Sequence, residues 1–304
     1  MKWLHRGLIF NPAGKFDWAV SHALQPTPLV LTDRIRIFVG LRDAQGVSRI
    51  GSVDLDKDDP TQIIGHSSTP ILDIGEDGCF DENGVVPSAV VQHEGRLYLY
   101  YAGYQLGTKV RFAVLGGLAV SDDQGQTFRR HQRVPVFERT DTETLFRVPH
   151  TVRHQDGLWK VWYGGGDHFI TGADKTLPVY NVRYTESDTP YAFPRPGRVF
   201  LDVAGAEYRI GRPFLFSRAE NDHYLFYGYS TEDRPYRLGF ARSSDLQTWQ
   251  RHDQDIGLDV APEGWDSEMI AYPGLAQVGD RVFMFYNGRA YGKDGFGLAE
   301  LLEW

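Results

Sequence analysis

SAVVQHEGRLYLYYAGYQLG, residues 88–107, decides the fold. An apolar run, a charged turn with Gly95, and a second run ending in Tyr-Tyr-Ala-Gly make two strands joined by a tight turn. The plan recurs in TVRHQDGLWKVWYGGGDHF (151–169), FLFSRAENDHYLFYGYSTE (214–232) and GLAQVGDRVFMFYNGRAYG (274–292), with a weaker copy in LVLTDRIRIFVGLRDAQG (29–46). A proline precedes each copy, at Pro28, Pro87, Pro149, Pro213 and Pro273, spaced 59, 62, 64 and 60 residues apart. A third strand follows in GGLAVSDDQG (116–125), YNVRYTESDT (180–189), RLGFARSSDL (237–246) and GFGLAELLEW (295–304). An aromatic-led fourth follows in TFRRHQRVPVF (127–137), PYAFPRPGRVF (190–200) and TWQRHDQDIGL (248–258).

Four strands per unit and five units predict an all-β chain, a five-bladed β-propeller with four antiparallel strands per blade and one domain over 1–304. The fifth copy stops after its third strand, and WLHRGLIF (3–10) has the form of a fourth. The N-terminal strand is therefore expected to complete the last blade and close the ring, which hides sheet edges. Two packed β-sandwiches are the alternative, and the five matched proline, turn and Tyr-x-Gly positions weigh against it.

Composition agrees: 13% aromatics and 33 glycines suit many short strands and tight turns. A net charge of −8 excludes a broad nucleic-acid footprint, which needs a basic face. Among the 32 basic residues 25 are Arg, a bias that suits recognition of anions or hydroxyls and is equally expected from a GC-rich genome. The single cysteine, Cys79, rules out an intramolecular disulfide and a Cys-based metal site and reads as a small buried hydrophobe. No signal-like or membrane-spanning apolar run is present, so the expectation is a soluble, cytoplasmic protein with no membrane partner; the oligomeric state stays open.

Six residues before the prolines stand His22, Asp81, Glu143, Glu207 and Ser267, with Glu268 one step later. The first strand of a propeller blade is innermost, so these positions are expected to ring one end of the central channel. The second strand returns to the same end and brings Arg42, Tyr104, Asp167 with His168, Tyr229 and Arg289. Nearer the prolines lie Asn83, Arg147, His150, Arg209, Arg212 and Tyr272. Such a mouth is a poor hydrophobic core and a plausible polyol site. A purely structural role is the competing reading, with Glu143–Arg147 and Glu207–Arg209 as ion pairs.

Carboxylates from different blades are what glycosidic cleavage requires: one protonates the leaving oxygen, the other activates water or attacks the anomeric carbon. Asp81 and Glu143 are the expected catalytic pair, with Glu207 and Glu268 in reserve. The arginines and histidines are expected to orient hydroxyls or phosphate.

The repeated unit, clearest as P87…YYAG…GLAVSDDQGQTF and P213…FYGY…GFARSSDLQTW, resembles the five-bladed propeller glycoside hydrolases of families 43, 32 and 130 over nearly the whole chain. Family 43 implies a base from blade one, a tuning acid from blade two and a general acid from blade three. Asp81 and Glu143 match the last two, but His22 stands where the base belongs, and neither Asp17 nor Asp43 has its register. NPAG (11–14) lacks the family 32 nucleophile, RDA (42–44) comes too early and no Glu-Cys occurs, so fructan cleavage is disfavoured. Family 130 implies one acid with Arg, His and Tyr around inorganic phosphate, which the arginine-rich mouth fits equally well. The resemblance thus implies an oligosaccharide or sugar-conjugate substrate, no resident cofactor, and phosphate as a conceivable co-substrate. Transfer from a nucleotide sugar and non-catalytic sugar binding are the other readings. A Ca²⁺ near the channel is known among family 43 relatives, but no spacing here specifies a metal.

Overall fold

The computed structural model describes residues 1–304, and its regular structure is nearly all β. β1 (Lys2–Phe10) comes first, followed by four strands, β2 (Ser21–Val30), β3 (Arg34–Arg42), β4 (Ser48–Asp56) and β5 (Ile63–His66), each antiparallel to the one before. The next four, β6 (Val85–His93), β7 (Arg96–Leu106), β8 (Phe112–Ser121) and β9 (Arg129–Arg130), repeat the meander. So do β10 (Phe146–Gln155), β11 (Leu158–Thr171), β12 (Thr176–Ser187) and β13 (Arg198–Leu201). A fourth set is β14 (Glu207–Ala219), β15 (Asp222–Thr231), β16 (Arg237–Ser243) and β17 (Gln250–Arg251). The last meander has three strands, β18 (Ala271–Val278), β19 (Arg281–Asn287) and β20 (Phe296–Glu303), and β1 pairs antiparallel with β20 as its fourth.

Short parallel contacts, Arg147 beside Leu115 and Tyr180 beside Arg209, join the middle three meanders into one twelve-stranded hydrogen-bonded sheet. The first strands touch in sequence, β2 with β6, β6 with β10, β10 with β14, β14 with β18, and β18 again with β2.

Packing follows from strand composition. RIRIFVGLR in β3 and HYLFYGYS in β15 are buried almost end to end on both alternating faces because each lies between two neighbouring meanders, with Arg36 of β3 paired to Asp54. Every neighbouring pair of sheets has its own core. Phe38 and Leu99 share one cluster, Tyr100 and Val161 the next, Trp162 and Leu225 a third, and Phe226 and Met284 a fourth. Ile37 and Phe285 form the cluster in which the last sheet meets the first. No helix is long and apolar enough to cross a membrane.

The first strands are locally distorted where the prolines sit. Gln25, Arg212 and Tyr272, each immediately before a proline, hold φ of 53°, 56° and 60°. That left-handed conformation costs a non-glycine residue about 1–3 kcal/mol and collects at functional sites. It also breaks the register beside each proline and re-aims three side chains.

Candidate functional site

The register acids are not where the sequence places them. Asp81 is 1% exposed; Tyr101 donates its hydroxyl to Asp81 Oδ2 at 2.9 Å, and Arg130 Nε donates to the same oxygen at 2.8 Å. Glu143 is 0% exposed, with Arg147 Nε 2.5 Å from Oε2, Arg183 Nη1 donating to Oε1 at 3.0 Å and Tyr163 donating at 2.5 Å. Glu207 accepts two hydrogen bonds from Arg251, at 2.9 and 2.7 Å, rather than pairing with Arg209. Arg251 also grips Asp253, which accepts the Tyr227 hydroxyl at 2.5 Å.

In the last sheet it is Asp266 that accepts from Tyr286, at 2.9 Å, while Glu268 is exposed and offers only its carbonyl, to Arg237. These are repeated carboxylate–tyrosine locks at the head of the sheets. In three of them the tyrosine follows its acid by 20 residues. Arg147 belongs to the same layer: 0% exposed, it also donates to the carbonyls of Glu138, Phe193 and Arg195.

Four other expected site positions turn away as well. Asn83 ties down the loop by accepting from the Leu106 amide. Asp167 and His168 pair with each other at 2.6 Å on an exposed edge, and Arg289 pairs with Asp294 at 2.6 Å.

Of the remaining candidates, Arg42, Tyr104, His150, Arg209, Arg212 and Tyr272 line a cavity of ≈ 230 Å³ between the first strands, whereas Tyr229 and Ser267 do not. His22 adjoins it, with Nε2 3.3 Å from Arg42 Nη1. Sequence reasoning did not single out Gln25, Arg111, Lys175, Tyr180, Tyr236 and Tyr291, which also line it. Lys175 arrives on the β11–β12 hairpin, Arg111 from the loop before β8, and Tyr291 from a turn after β19. No repeat position marks them; the signal available was the extra length of β11 and β12, 14 and 12 residues.

Five cations and five tyrosines line this cavity, and no Asp or Glu does. The cations have no carboxylate partner. Arg212, 4% exposed, donates to the Ser88 carbonyl at 2.6 Å, Gln25 Oε1 at 3.1 Å and Thr27 Oγ1 at 2.9 Å, all neutral acceptors, and its Nε has no partner. Burial pulls its pKa down to about 9, which still leaves it charged at neutral pH. Arg209, 7% exposed, donates to Ser230 Oγ at 2.7 Å and lies 4.1 Å over the Tyr236 ring. Burial alone would lower the Arg209 pKa, but the tyrosine oxygens around it outweigh that and hold it well up. Of the five, Arg209 and Arg212 are buried, and an uncompensated buried charge is costly unless an anion offsets it.

The imidazoles stay neutral. His22 is lowered to about 4, first by burial and then by Arg42 and Lys293, and burial together with Arg212 takes His150 well below its ordinary range. Neither adds a cation, and each offers one donor and one acceptor. No cluster of His, Cys, Asp and Glu suited to a metal ion occurs.

No family model matches the chain. The uncharacterized protein Rv1502 of Mycobacterium tuberculosis is 33% identical over 303 residues, 99% of each chain. Among solved structures, a glycoside hydrolase superposes at TM-score 0.73 and 16% identity, covering 99% of this chain and 92% of its own. A thermostable family-43 glycoside hydrolase gives 0.68 and 15%, covering 93% and 89%. The β-1,2-mannobiose phosphorylase of Listeria innocua gives 0.70 and 13%, covering 99% and 96%. The fold is thus that of the propeller glycoside hydrolases and this phosphorylase, as the repeated unit implies.

Proposed function

From the premise that the chain belongs to the family of the mycobacterial protein Rv1502, we propose that it is a carbohydrate-active enzyme cleaving a glycosidic bond with inorganic phosphate, a glycoside phosphorylase. In this reading the five meanders are the blades of one closed propeller, and the cavity lies on its axis. One observation carries the choice of phosphate: five cationic side chains line the cavity without a carboxylate beside them. Two-carboxylate hydrolysis needs an acid and a base or nucleophile roughly 5–9.5 Å apart across the scissile bond, and both must face the substrate. Asp81 and Glu143 face Tyr101 and Tyr163 instead.

Phosphate needs no carboxylate base, because it is already an anionic nucleophile; what it needs is cations that desolvate and aim it. Arg209 and Arg212 are placed to do this from β14, with Arg42 from β3. Tyrosine rings provide flat apolar faces for a sugar, and neutral His150 and Gln25 provide donors and acceptors for hydroxyls.

The test is to incubate the protein with a panel of sugar 1-phosphates and monosaccharide acceptors, follow released phosphate, and measure phosphate binding by calorimetry. Phosphate release with one donor–acceptor pair, and saturable phosphate binding, are expected. Phosphate-independent cleavage of aryl glycosides, with no phosphate affinity, would return the reading to a hydrolase. Sugar binding without turnover would make the protein a lectin.

A further inference from the structure

We propose that Tyr291 is the proton donor to the departing glycosidic oxygen, its phenol presented to the cavity by a left-handed turn and its conjugate oxygen held by Arg209. The inference rests on the phosphorolytic reading, which leaves the leaving group without an acid: no carboxylate lines the cavity, and His22 and His150 are neutral.

The placement is built rather than incidental. After β19 the chain enters a single turn, Arg289–Gly292, in which Ala290 and Tyr291 hold φ of 49° and 63°. Asn287 over-determines that turn. Its Nδ2 donates to the carbonyls of Ala23 at 2.8 Å and Gly295 at 2.9 Å, and its Oδ1 accepts from the Gln25 amide at 2.8 Å. The Tyr291 ring then packs against Tyr272 and Tyr236, and its hydroxyl accepts from Arg209 Nη2 at 3.3 Å. Backbone strain held in place beside a cavity fits a side chain that must be aimed.

Charge favours the same residue. Burial pushes the Tyr291 phenol up, but Arg209, aided by Lys175 and Arg111, reverses this and leaves it below the usual range. Every other tyrosine that moves, including Tyr104, Tyr236 and Tyr272 in the same cavity, moves up.

The step balances without a further reagent. A phosphate oxygen bonds to the anomeric carbon as the glycosidic C–O bond breaks, and the leaving oxygen takes the Tyr291 proton. Tyrosinate, paired with Arg209, then recovers a proton from the hydrogen phosphate ester just formed.

The experiment uses Tyr291→Phe, which keeps the ring and its packing, and combines three readouts. Phosphate affinity by calorimetry is expected within about twofold of wild type. Phosphorolysis of substrates with sugar leaving groups is expected to fall at least ~100-fold, as for loss of a general acid, while nitrophenyl glycosides, whose leaving group needs no proton, lose less than about threefold. Near-ultraviolet titration should show one phenol ionising below the ordinary tyrosine range in wild type, lost in Tyr291→Phe and moved up in Arg209→Met. Equal rates on sugar leaving groups in variant and wild type would overturn the assignment, as would titrations that do not differ. A wild-type protein without phosphate affinity would instead sink the phosphorolytic reading, and the titration would still decide whether Tyr291 is the phenol that Arg209 holds.

Discussion

Glu143→Gln separates a catalytic carboxylate from a structural one. In the wild type this group has no exposure and neutralises Arg147, equally buried, at 2.5 Å, with Arg183 at 3.0 Å. The amide keeps an oxygen for the Tyr163 hydroxyl but loses the charge. Arg147 has no route to solvent, because the carbonyls of Glu138, Phe193 and Arg195 hold its guanidinium in place. Removing one partner of such a pair costs about 3–5 kcal/mol. At about 2–4 °C per kcal/mol in large domains, the lower part of that range lowers the thermal midpoint by roughly 6–12 °C. Scanning calorimetry measures the shift, and phosphate calorimetry below the transition should give wild-type affinity. Glu143→Gln/Arg147→Met should lose less than the sum of the two single variants, since it leaves no orphaned charge. A Glu143→Gln protein with an unchanged midpoint and abolished turnover would refute the reasoning and restore the carboxylate to the reaction.

Arg209→Met removes a charged donor from the cavity and should weaken phosphate binding about 10–100-fold by calorimetry, the equivalent of one hydrogen bond to a charged group. Asp81→Asn should destabilise in the same manner as Glu143→Gln, because the amide keeps one oxygen for Tyr101 and Arg130 but no longer neutralises the Arg130 charge, while phosphate affinity holds. His22 titrates at about 4 in the folded chain against 6.5 unfolded, so between these values the unfolded state binds more protons. Stability should therefore fall as pH drops from about 6.5 to about 4 and then level off for this group, and His22→Asn should flatten that slope in pH-dependent melts. Gly274→Ala would place a Cβ 2.4 Å from the Pro26 carbonyl and 2.9 Å from Pro28 Cδ, at the contact of β18 with β2. A loss of about 1–3 kcal/mol in denaturant unfolding is expected from that overpacking.

The strands were legible because their pattern is local and repeated. Apolar runs, Gly-containing turns and the Tyr-Tyr and Trp-Tyr endings at Tyr100–Tyr101 and Trp162–Tyr163 recur, and the structure sets them as second strands packed on both faces. The pairing of β1 with β20 follows from a missing strand at one end and a spare one at the other. Half of the site was legible too: Arg42, His150, Arg209, Arg212 and Tyr272 lie near the prolines or at a second-strand end, and all five line the cavity. Counting six residues back from Pro273 reached Ser267 and missed Asp266, because this hairpin is one residue shorter between proline and tyrosine. Lys175, Tyr236 and Tyr291 come from insertions and turns that no copy shares, and their position depends on long-range packing that periodicity does not encode.

The register acids lie outside the cavity for a reason inherent in repeats. A residue that recurs at the same place in several copies solves a problem every copy has, and here that problem is anchoring the buried second-strand tyrosine hydroxyl. A reaction has one set of reacting atoms, so the groups that serve it must break the symmetry of the scaffold. Immediately before the five prolines the chain carries Thr27, Val86, Val148, Arg212 and Tyr272, and before Pro26 it carries Gln25. Val86 and Val148 form an apolar wall, while Gln25, Arg212 and Tyr272 take the strained backbone that points polar atoms into the cavity. Chemical difference at structurally equivalent positions therefore locates the site better than chemical identity does. On that logic Tyr291, in a turn that no other copy possesses, is a stronger candidate for proton transfer than any acid in register.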